Sequence, residues 1–337
     1  PPCHYLKVTT FHKPEFVARS REFVPVYLDG DHERAQIYGE QFEVAGYPTV
    51  IVFNPDGQEV TRLGMGVPIG EYARVLDVSK TLMVPMKDVL ARVAEQGAAG
   101  APAEDLELLA FYAWDQDEKV DLPDEEAFDT FRALYEQTPA DMPVVKARFL
   151  AHFLNAAIDR AAERADAAAE AVEAGEAATE PEPVFDADEL AALRAAVTEM
   201  LTTPELRAAD LSFVQYWSRE TVELLYPEPG DERAAFAGVW DEAAQALEAD
   251  ETLSVDDRLT VMYPRLELAR MLGDDAAAAA ETEPEAPAEA VTDTAAVDVT
   301  AAEGVSDTAV VDVTAAEGVT ETVAEGEAAE EPAAPGL

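Results

Sequence analysis

The sequence predicts an α/β domain at residues 1–78, followed by an all-α helical region and a disordered acidic tail. Within the first segment, apolar β-branched runs alternate with helical patterns, which is typical of a unit that mixes sheet and helix. From residue 79 onwards the apolar side chains recur almost entirely at helical spacing. After Arg270 the chain has no Lys or Arg, and its composition of mainly Ala, Glu, Thr and Val cannot bury a core.

The N-terminal elements follow in the order helix, strand, helix, strand, hairpin, strand and helix. Their predicted positions are a helix from Pro1, a strand at 23–29, a helix at about 32–42, strands at 49–54 and 58–63, and a helix starting near Pro68. Asp56-Gly57 closes the hairpin between the last two strands. Pro48 stands directly before a strand. Because proline cannot donate to a sheet ladder, it must lie at the start of that strand, where a cis bond can form.

The helical region divides at a linker rich in Ala, Glu and Pro. We predict a helical region at 79–160, the linker at 161–185, a helical bundle or helical-hairpin region at 186–273, and the disordered tail at 274–337. In the second helical block, Asp186 with Glu189 and Ser254 with Asp257 are spaced as capping boxes, which predicts two helix starts. Pro264 is expected to kink the helix that follows.

The chain as a whole is strongly acidic. It has 70 acidic and 23 basic residues and a net charge of -47, which excludes nucleic acid and anionic lipid as electrostatic partners. The tail segment 294–307 recurs with few changes as 308–321, a duplication typical of low-complexity sequence. No run approaches the roughly 20 apolar residues that span a bilayer, and no phosphate loop or nucleophile elbow indicates nucleotide hydrolysis or acyl transfer.

Cys3 is the residue that points to chemistry. It is the one cysteine of the chain, which excludes an internal disulfide framework. It opens the first predicted helix, where unpaired backbone N–H groups and the helix dipole favour a thiolate. Together with His4 and His12 it matches no pattern of metal ligands, so the sequence predicts neither a metal nor a cofactor.

Four motifs together resemble the thioredoxin superfamily, in particular its secreted bacterial members of the thiol-disulfide interchange type. They are the Pro1-Pro2-Cys3 helix start, a strand ending in Asp29, Gly46-Tyr47-Pro48-Thr49 before a strand, and the Asn54-Pro55-Asp56-Gly57 hairpin. The resemblance covers about residues 1–78 and none of the helical remainder. It implies a thioredoxin-like fold with a central sheet for this segment.

The resemblance also implies residue roles. Cys3 matches the second, resolving cysteine of a Cys-Pro-Pro-Cys motif, which attacks the mixed disulfide formed by the first. Pro48 matches the cis-proline beside the active site, where with Tyr47 and Thr49 it binds the substrate backbone as an added strand. The two spacer residues of the motif, whose nature tunes the reduction potential, match Pro1 and Pro2.

The sequence departs from the family pattern at its start. The nucleophilic cysteine would stand immediately before Pro1. The first strand of the family, which lies between the strands predicted at 23–29 and 49–54, would precede that cysteine. We therefore expect a thioredoxin-like domain whose first strand is missing, in a fragment that is redox-inactive by itself. Unpaired backbone groups beside the gap would make such a domain poorly stable.

The resemblance predicts a thiol-disulfide oxidoreductase of the protein disulfide reductase or isomerase type for the parent protein. Its partners would be protein dithiol or disulfide substrates and an electron-donor thiol protein. The alternative is a non-catalytic thioredoxin-like adaptor whose helical region binds a protein partner. The resemblance favours a periplasmic or other extracytoplasmic location, while a cytoplasmic one stays open.

Overall fold

The computed structural model describes residues 2–117, 122, 124–175, 177 and 181–282. Helices account for 69% of the structure. In the described ranges the strands form one short antiparallel sheet of two strands. A search of the same residues for a helix with the length and apolarity of a membrane span finds none.

The N-terminal part of the chain contains the whole of this sheet. Its elements are α1 (Pro2–Leu6), a π-helical turn (Lys7–Phe11), α2 (Pro14–Ser20), α3 (Glu33–Gln41), β1 (Val50–Phe53), β2 (Glu59–Leu63) and α4 (Ile69–Leu82). The strands β1 and β2 form the predicted hairpin, with Val50 opposite Leu63. Asn54 shapes the turn, because its side-chain oxygen accepts the backbone N–H groups of Asp56 and Gln58 at 3.1 and 2.9 Å.

The expected thioredoxin-like α/β fold with a central sheet is wrong. The segment 23–29 forms no strand, and no backbone-to-backbone hydrogen bond within the described part of the chain holds residues 24–28. A strand needs a neighbour to pair its N–H and C=O groups, and Pro25 has no N–H to offer. Val24 and Val26 are 90% and 76% exposed. The alternation of apolar residues thus predicted a buried strand, but no neighbouring strand in the described residues covers this segment.

The remaining helices form two successive groups. The first comprises α5 (Met86–Gln96), α6 (Ala103–Ala110), α7 (Asp124–Gln137) and α8 (Pro143–Glu173). The second comprises α9 (Ala187–Thr202), α10 (Pro204–Ala209), α11 (Leu211–Tyr216), α12 (Ser218–Leu225), α13 (Asp231–Glu248), α14 (Val255–Thr260) and α15 (Met262–Thr282). The predicted helical character of this part of the chain is confirmed.

Local sequence signals determine several of these helix ends. Both capping boxes form: Asp186 Oδ1 accepts the Glu189 N–H at 2.9 Å, and Ser254 Oγ accepts the Asp257 N–H at 3.0 Å. Pro264 lies in the first turn of α15, a position that proline tolerates. The chain therefore breaks between α14 and α15, and no single helix is kinked there.

Two helices cross the predicted boundaries. Helix α8 continues to Glu173, inside the predicted linker at 161–185. Helix α15 continues to Thr282, inside the predicted tail at 274–337. The rest of that tail lies outside the described residues.

A continuous hydrophobic core joins the two helix groups and the hairpin, from Leu6 in α1 to Met271 in α15. Part of it is a cluster of aromatic rings. The ring centroids of Phe128 and Phe153 lie 5.1 Å apart, and those of Phe153 and Phe185 lie 5.7 Å apart. Edge-to-face rings at these distances stabilise a core beyond their area alone. They attach α7 and α8 to the segment that leads into α9.

One buried ion pair links the two helix groups. Arg148 of α8 and Asp210, which precedes α11, place Nη1 and Oδ2 2.5 Å apart, and both side chains are less than a tenth exposed. Arg148 Nε also donates to the Ala110 carbonyl at 3.1 Å. Asp210 accepts the Phe213 N–H at 3.0 Å, so it caps α11 as well. Neither partner can be removed without leaving the other buried and unpaired.

We predict that Arg148→Met lowers the free energy of unfolding by about 3–5 kcal/mol, because it leaves the Asp210 carboxylate buried without its cation. Urea unfolding followed by circular dichroism measures the change. Arg270→Met is the control, because Arg270 is mostly exposed in its pair with Glu267 and should cost at most about 1 kcal/mol. Equal unfolding midpoints for the two variants would contradict the prediction.

His152 of α8 lies beside this ion pair as a neutral base. Its Nε2 is 3.0 Å from the Ala110 carbonyl, and its ring stacks on Phe131 with centroids 5.2 Å apart. Burial, with the positive charge of Arg148 second, lowers the pKa of His152 to about 4. Because the carbonyl only accepts, the neutral ring must carry its proton on Nε2.

This pKa predicts acid sensitivity. The unfolded chain binds a proton at His152 as the pH falls below about 6.5, whereas the folded chain does so only near 4, so stability falls through this window. Between pH 7 and pH 5 the wild type should lose roughly 2 kcal/mol more than His152→Gln. Urea titrations of both proteins at both pH values measure this difference in stability loss. The other titrating groups are the same in the two proteins, so their contributions cancel. Equal losses of unfolding free energy in the two proteins would contradict this prediction.

Candidate functional site

The thiol of Cys3 is free and exposed on α1. Two residues at the end of this five-residue helix attach it to the rest of the protein. Leu6 is buried in the hydrophobic core, and the Tyr5 hydroxyl donates to Asp257 Oδ1 at the start of α14. Burial, with the hydrogen bond to Asp257 second, raises the pKa of Tyr5. Tyr5 therefore stays protonated and keeps α1, with its thiol, against α14.

The loop before β1 contains the other predicted site residues. The Tyr47–Pro48 peptide bond is cis, Pro48 is buried and Tyr47 is about half exposed. The Tyr47 ring lies against two glycines. A Cβ at Gly39 would stand 2.7 Å from the Tyr47 hydroxyl, and one at Gly30 would stand 3.4 Å from the ring. The absence of side chains at these positions is what lets the ring rest on α3 and on the turn before it.

Thr49 connects this loop to the segment after α6. Its hydroxyl lies 2.5 Å from the Gly46 carbonyl and 2.7 Å from Gln116 Oε1. Having one proton, it donates to one of these oxygens at a time. The first contact closes the loop on itself, and the second ties it to a distant part of the sequence. Thr49 is thus a loop-forming residue in the structure.

Behind the loop lies a fully buried guanidinium, that of Arg62 in β2. Its Nε donates to Glu59 Oε1 at 2.8 Å, and one Nη group lies 3.4 Å from Asp117 Oδ1. The same side chain donates to three backbone carbonyls. These belong to Phe42, Glu43 and Gln116.

The charges in this network are mutually dependent. Burial alone would lower the pKa of Arg62, but the carboxylates of Glu59 and Asp117 more than offset it and raise that pKa. The Tyr112 hydroxyl lies within hydrogen-bond reach of both carboxylates. Burial and the charge of Glu59 raise the pKa of Tyr112, so that it remains a donor. The loop before β1 thus rests on a satisfied, charged cluster.

The structure keeps Tyr47, Pro48 and Thr49 together but carries Cys3 on a separate element. No hydrogen bond of the described residues joins Cys3 to these three. The spacer residue Pro2 is the first residue of α1, and Pro1 lies outside the described residues. In the described ranges, no group of three or more His, Cys, Asp or Glu side chains is arranged to hold a metal ion.

Sequence patterns missed the residues that support the loop. Arg62 lies inside a strand, where a charged residue is normally interpreted as facing solvent. Gln116 and Asp117 follow α6 without a motif. No motif in the sequence marks Glu59, Arg62 and Asp117 as members of one cluster. Comparisons of the chain with protein families, curated proteins and solved structures give no match.

We predict that Arg62→Met costs about 3–5 kcal/mol of unfolding free energy at pH 7, because Glu59 and Asp117 lose their cation. The cost should shrink as the pH falls towards 4.5. Unpaired buried carboxylates have a raised folded-state pKa and are neutralised there. Adding Asp117→Asn should restore part of the stability at pH 7. Urea unfolding at both pH values measures this, and a cost independent of pH would refute the charged cluster.

Proposed function

We propose that this chain takes part in thiol-disulfide exchange with protein substrates, and that Cys3 is the resolving thiol of the oxidoreductase that the sequence motifs resemble. The observation that carries the proposal is the exposed, free thiol of Cys3 on a helix whose other face is anchored in the core. The motif resemblance supports the proposal independently of the expected sheet. A substrate protein has access to an exposed thiol of this kind.

The proposed step balances without a cofactor. A substrate cysteine is joined by a mixed disulfide to the nucleophilic cysteine that the resemblance places before Pro1. The Cys3 thiolate attacks the sulfur of that nucleophilic cysteine, and a disulfide forms between the two enzyme cysteines. The bond to the substrate breaks, and the substrate leaves as a thiolate that takes up a proton. The enzyme is oxidised, and an electron-donor thiol protein reduces it again.

The loop before β1 is the proposed place for the substrate backbone. Pro48 forms a buried base, Tyr47 presents an exposed ring, and Thr49 fixes the loop through Gln116. In the described residues β1 pairs with β2 alone, and the other edge of β1 is the place we propose for an added strand. The motif resemblance extends the proposal to an extracytoplasmic location.

The test uses two matched proteins, the chain with one cysteine added directly before Pro1 and the chain with a serine added there. Insulin disulfide reduction by dithiothreitol should be faster with the added cysteine than with the added serine. Cys3→Ser in the cysteine-extended chain should abolish this gain and accumulate a mixed disulfide with insulin, visible on a non-reducing gel.

The unextended chain provides the control for thiol access. It should release one equivalent of thiolate from an aromatic disulfide reagent under native conditions, and Cys3→Ser should release none. Equal insulin reduction with added cysteine and added serine, in proteins that pass this access control, would rule out the resolving role of Cys3.

A further inference from the structure

Helices α14 and α15 carry an exposed apolar surface, which we call the α14–α15 face. Its members are Val255, Leu259, Met262, Tyr263 and Leu266. They are 68%, 59%, 62%, 49% and 52% exposed. Scattered single apolar residues are normal on a protein surface, but a contiguous group on one element marks an interaction site.

The spacing of these residues makes them one surface. Positions i, i+4, i+7, i+8 and i+11 fall on one side of a helix, and the short break at Val261 keeps helical backbone angles. The opposite side of the same helices already faces the core through Val261, Leu268 and Met271. A helix that is apolar on two sides is expected to be covered on both. Here one side has no cover among the described residues.

Neighbouring residues widen the face towards α1. Tyr216, at the end of α11, is 48% exposed, and its ring centroid lies 5.7 Å from that of Tyr263. Tyr5 of α1 bonds to Asp257 on the adjacent side of α14. The aromatic pair forms one border of the face. Aromatic residues of this kind are enriched where proteins bind one another.

The charges around the face indicate the partner. Arg258 and Arg265 border one side but are engaged within the protein: Arg258 Nε donates to the Glu248 carbonyl at 2.6 Å, and Arg265 Nε pairs with Asp241 at 2.7 Å. Asp256 is an exposed residue on the other side. Because the chain carries a net charge of -47, its long-range field favours a basic partner over an acidic one.

The same charge argues against a second copy of this chain as the occupant. Self-association would bring together two proteins that each carry the charge of -47, and the face itself offers no uncommitted cation to offset their repulsion. From Val255 to Leu266 the face extends along about three helical turns, or roughly 16 Å. A single helix of similar length covers such a stripe with its own apolar residues at i, i+4 and i+7.

We propose that the α14–α15 face binds an amphipathic helix of another protein, one that has apolar anchors on one side and Lys or Arg along its flanks. The binding goes beyond thiol exchange and does not depend on it. Apolar contact supplies affinity at the centre of the face. The acidic field of the chain supplies the preference for a basic helix and the faster encounter.

The probe for the test is a synthetic three-turn amphipathic helix with Leu anchors and Lys flanks, labelled with fluorescein. A peptide with the same anchors and Glu flanks is its counterpart. Fluorescence anisotropy on the full chain should show binding of the Lys peptide, weakened by salt, and at least about tenfold weaker binding of the Glu peptide. The double variant Leu259→Gln, Leu266→Gln should weaken the Lys peptide at least about tenfold.

Val172→Gln is the matched control, because Val172 is also apolar and 46% exposed but lies on α8. It should bind the Lys peptide like the wild type, and so should Cys3→Ser, which separates this proposal from thiol exchange. Circular dichroism verifies that every variant is folded. No binding of the Lys peptide, equal binding by the double variant, or a wild-type dimer in light scattering that the double variant abolishes would each overturn the proposal.

Discussion

The N-terminal part of this fold depends on the burial of one guanidinium, that of Arg62. A two-stranded ribbon is marginal in water without something to pack against, and here the inner side of β2 carries a full charge. The protein satisfies that charge with Glu59 and Asp117 and with three backbone carbonyls. These partners come from the end of α3, from β2 itself and from the segment after α6. The cluster therefore fixes the relative positions of three elements that no shared sheet holds.

Arg148 likewise fixes the relative positions of the two helix groups. It reaches the carbonyl at the end of α6 and the carboxylate that caps α11. Buried ion pairs add little net stability compared with apolar packing, but breaking one is costly. Two such pairs in one core therefore act mainly as constraints on arrangement. Each permits the elements around it a single set of positions, since any other leaves a buried charge unpaired.

These constraints explain which parts of the structure the sequence could predict. The β1–β2 hairpin and the capping boxes at Asp186 and Ser254 depend on neighbours within a few residues, so the local pattern predicted them. Pro264 was expected to kink one helix, whereas the chain breaks between α14 and α15. Segment 23–29 has the alternation of a strand, but a strand exists only with a partner, and pattern cannot supply one. Arg62 meets Asp117, and Arg148 meets Asp210, more than fifty residues along the chain, where spacing carries no signal. The exposed position of Cys3 depends in the same way on Tyr5 meeting Asp257.

Segment 24–28 and the α14–α15 face are both exposed and apolar, but they differ in what a binding partner must provide. At 24–28 no backbone hydrogen bond to another described residue is formed, so this segment offers free N–H and C=O groups to an extended occupant. On the α14–α15 face the backbone is satisfied within its helices, and only side-chain area is open. An occupant there needs shape and apolar contact but no particular backbone conformation, and a helix presents these at the lowest cost in entropy. The acidic charge of the chain acts on both regions in one way, because it opposes contact between the apolar surfaces of identical molecules.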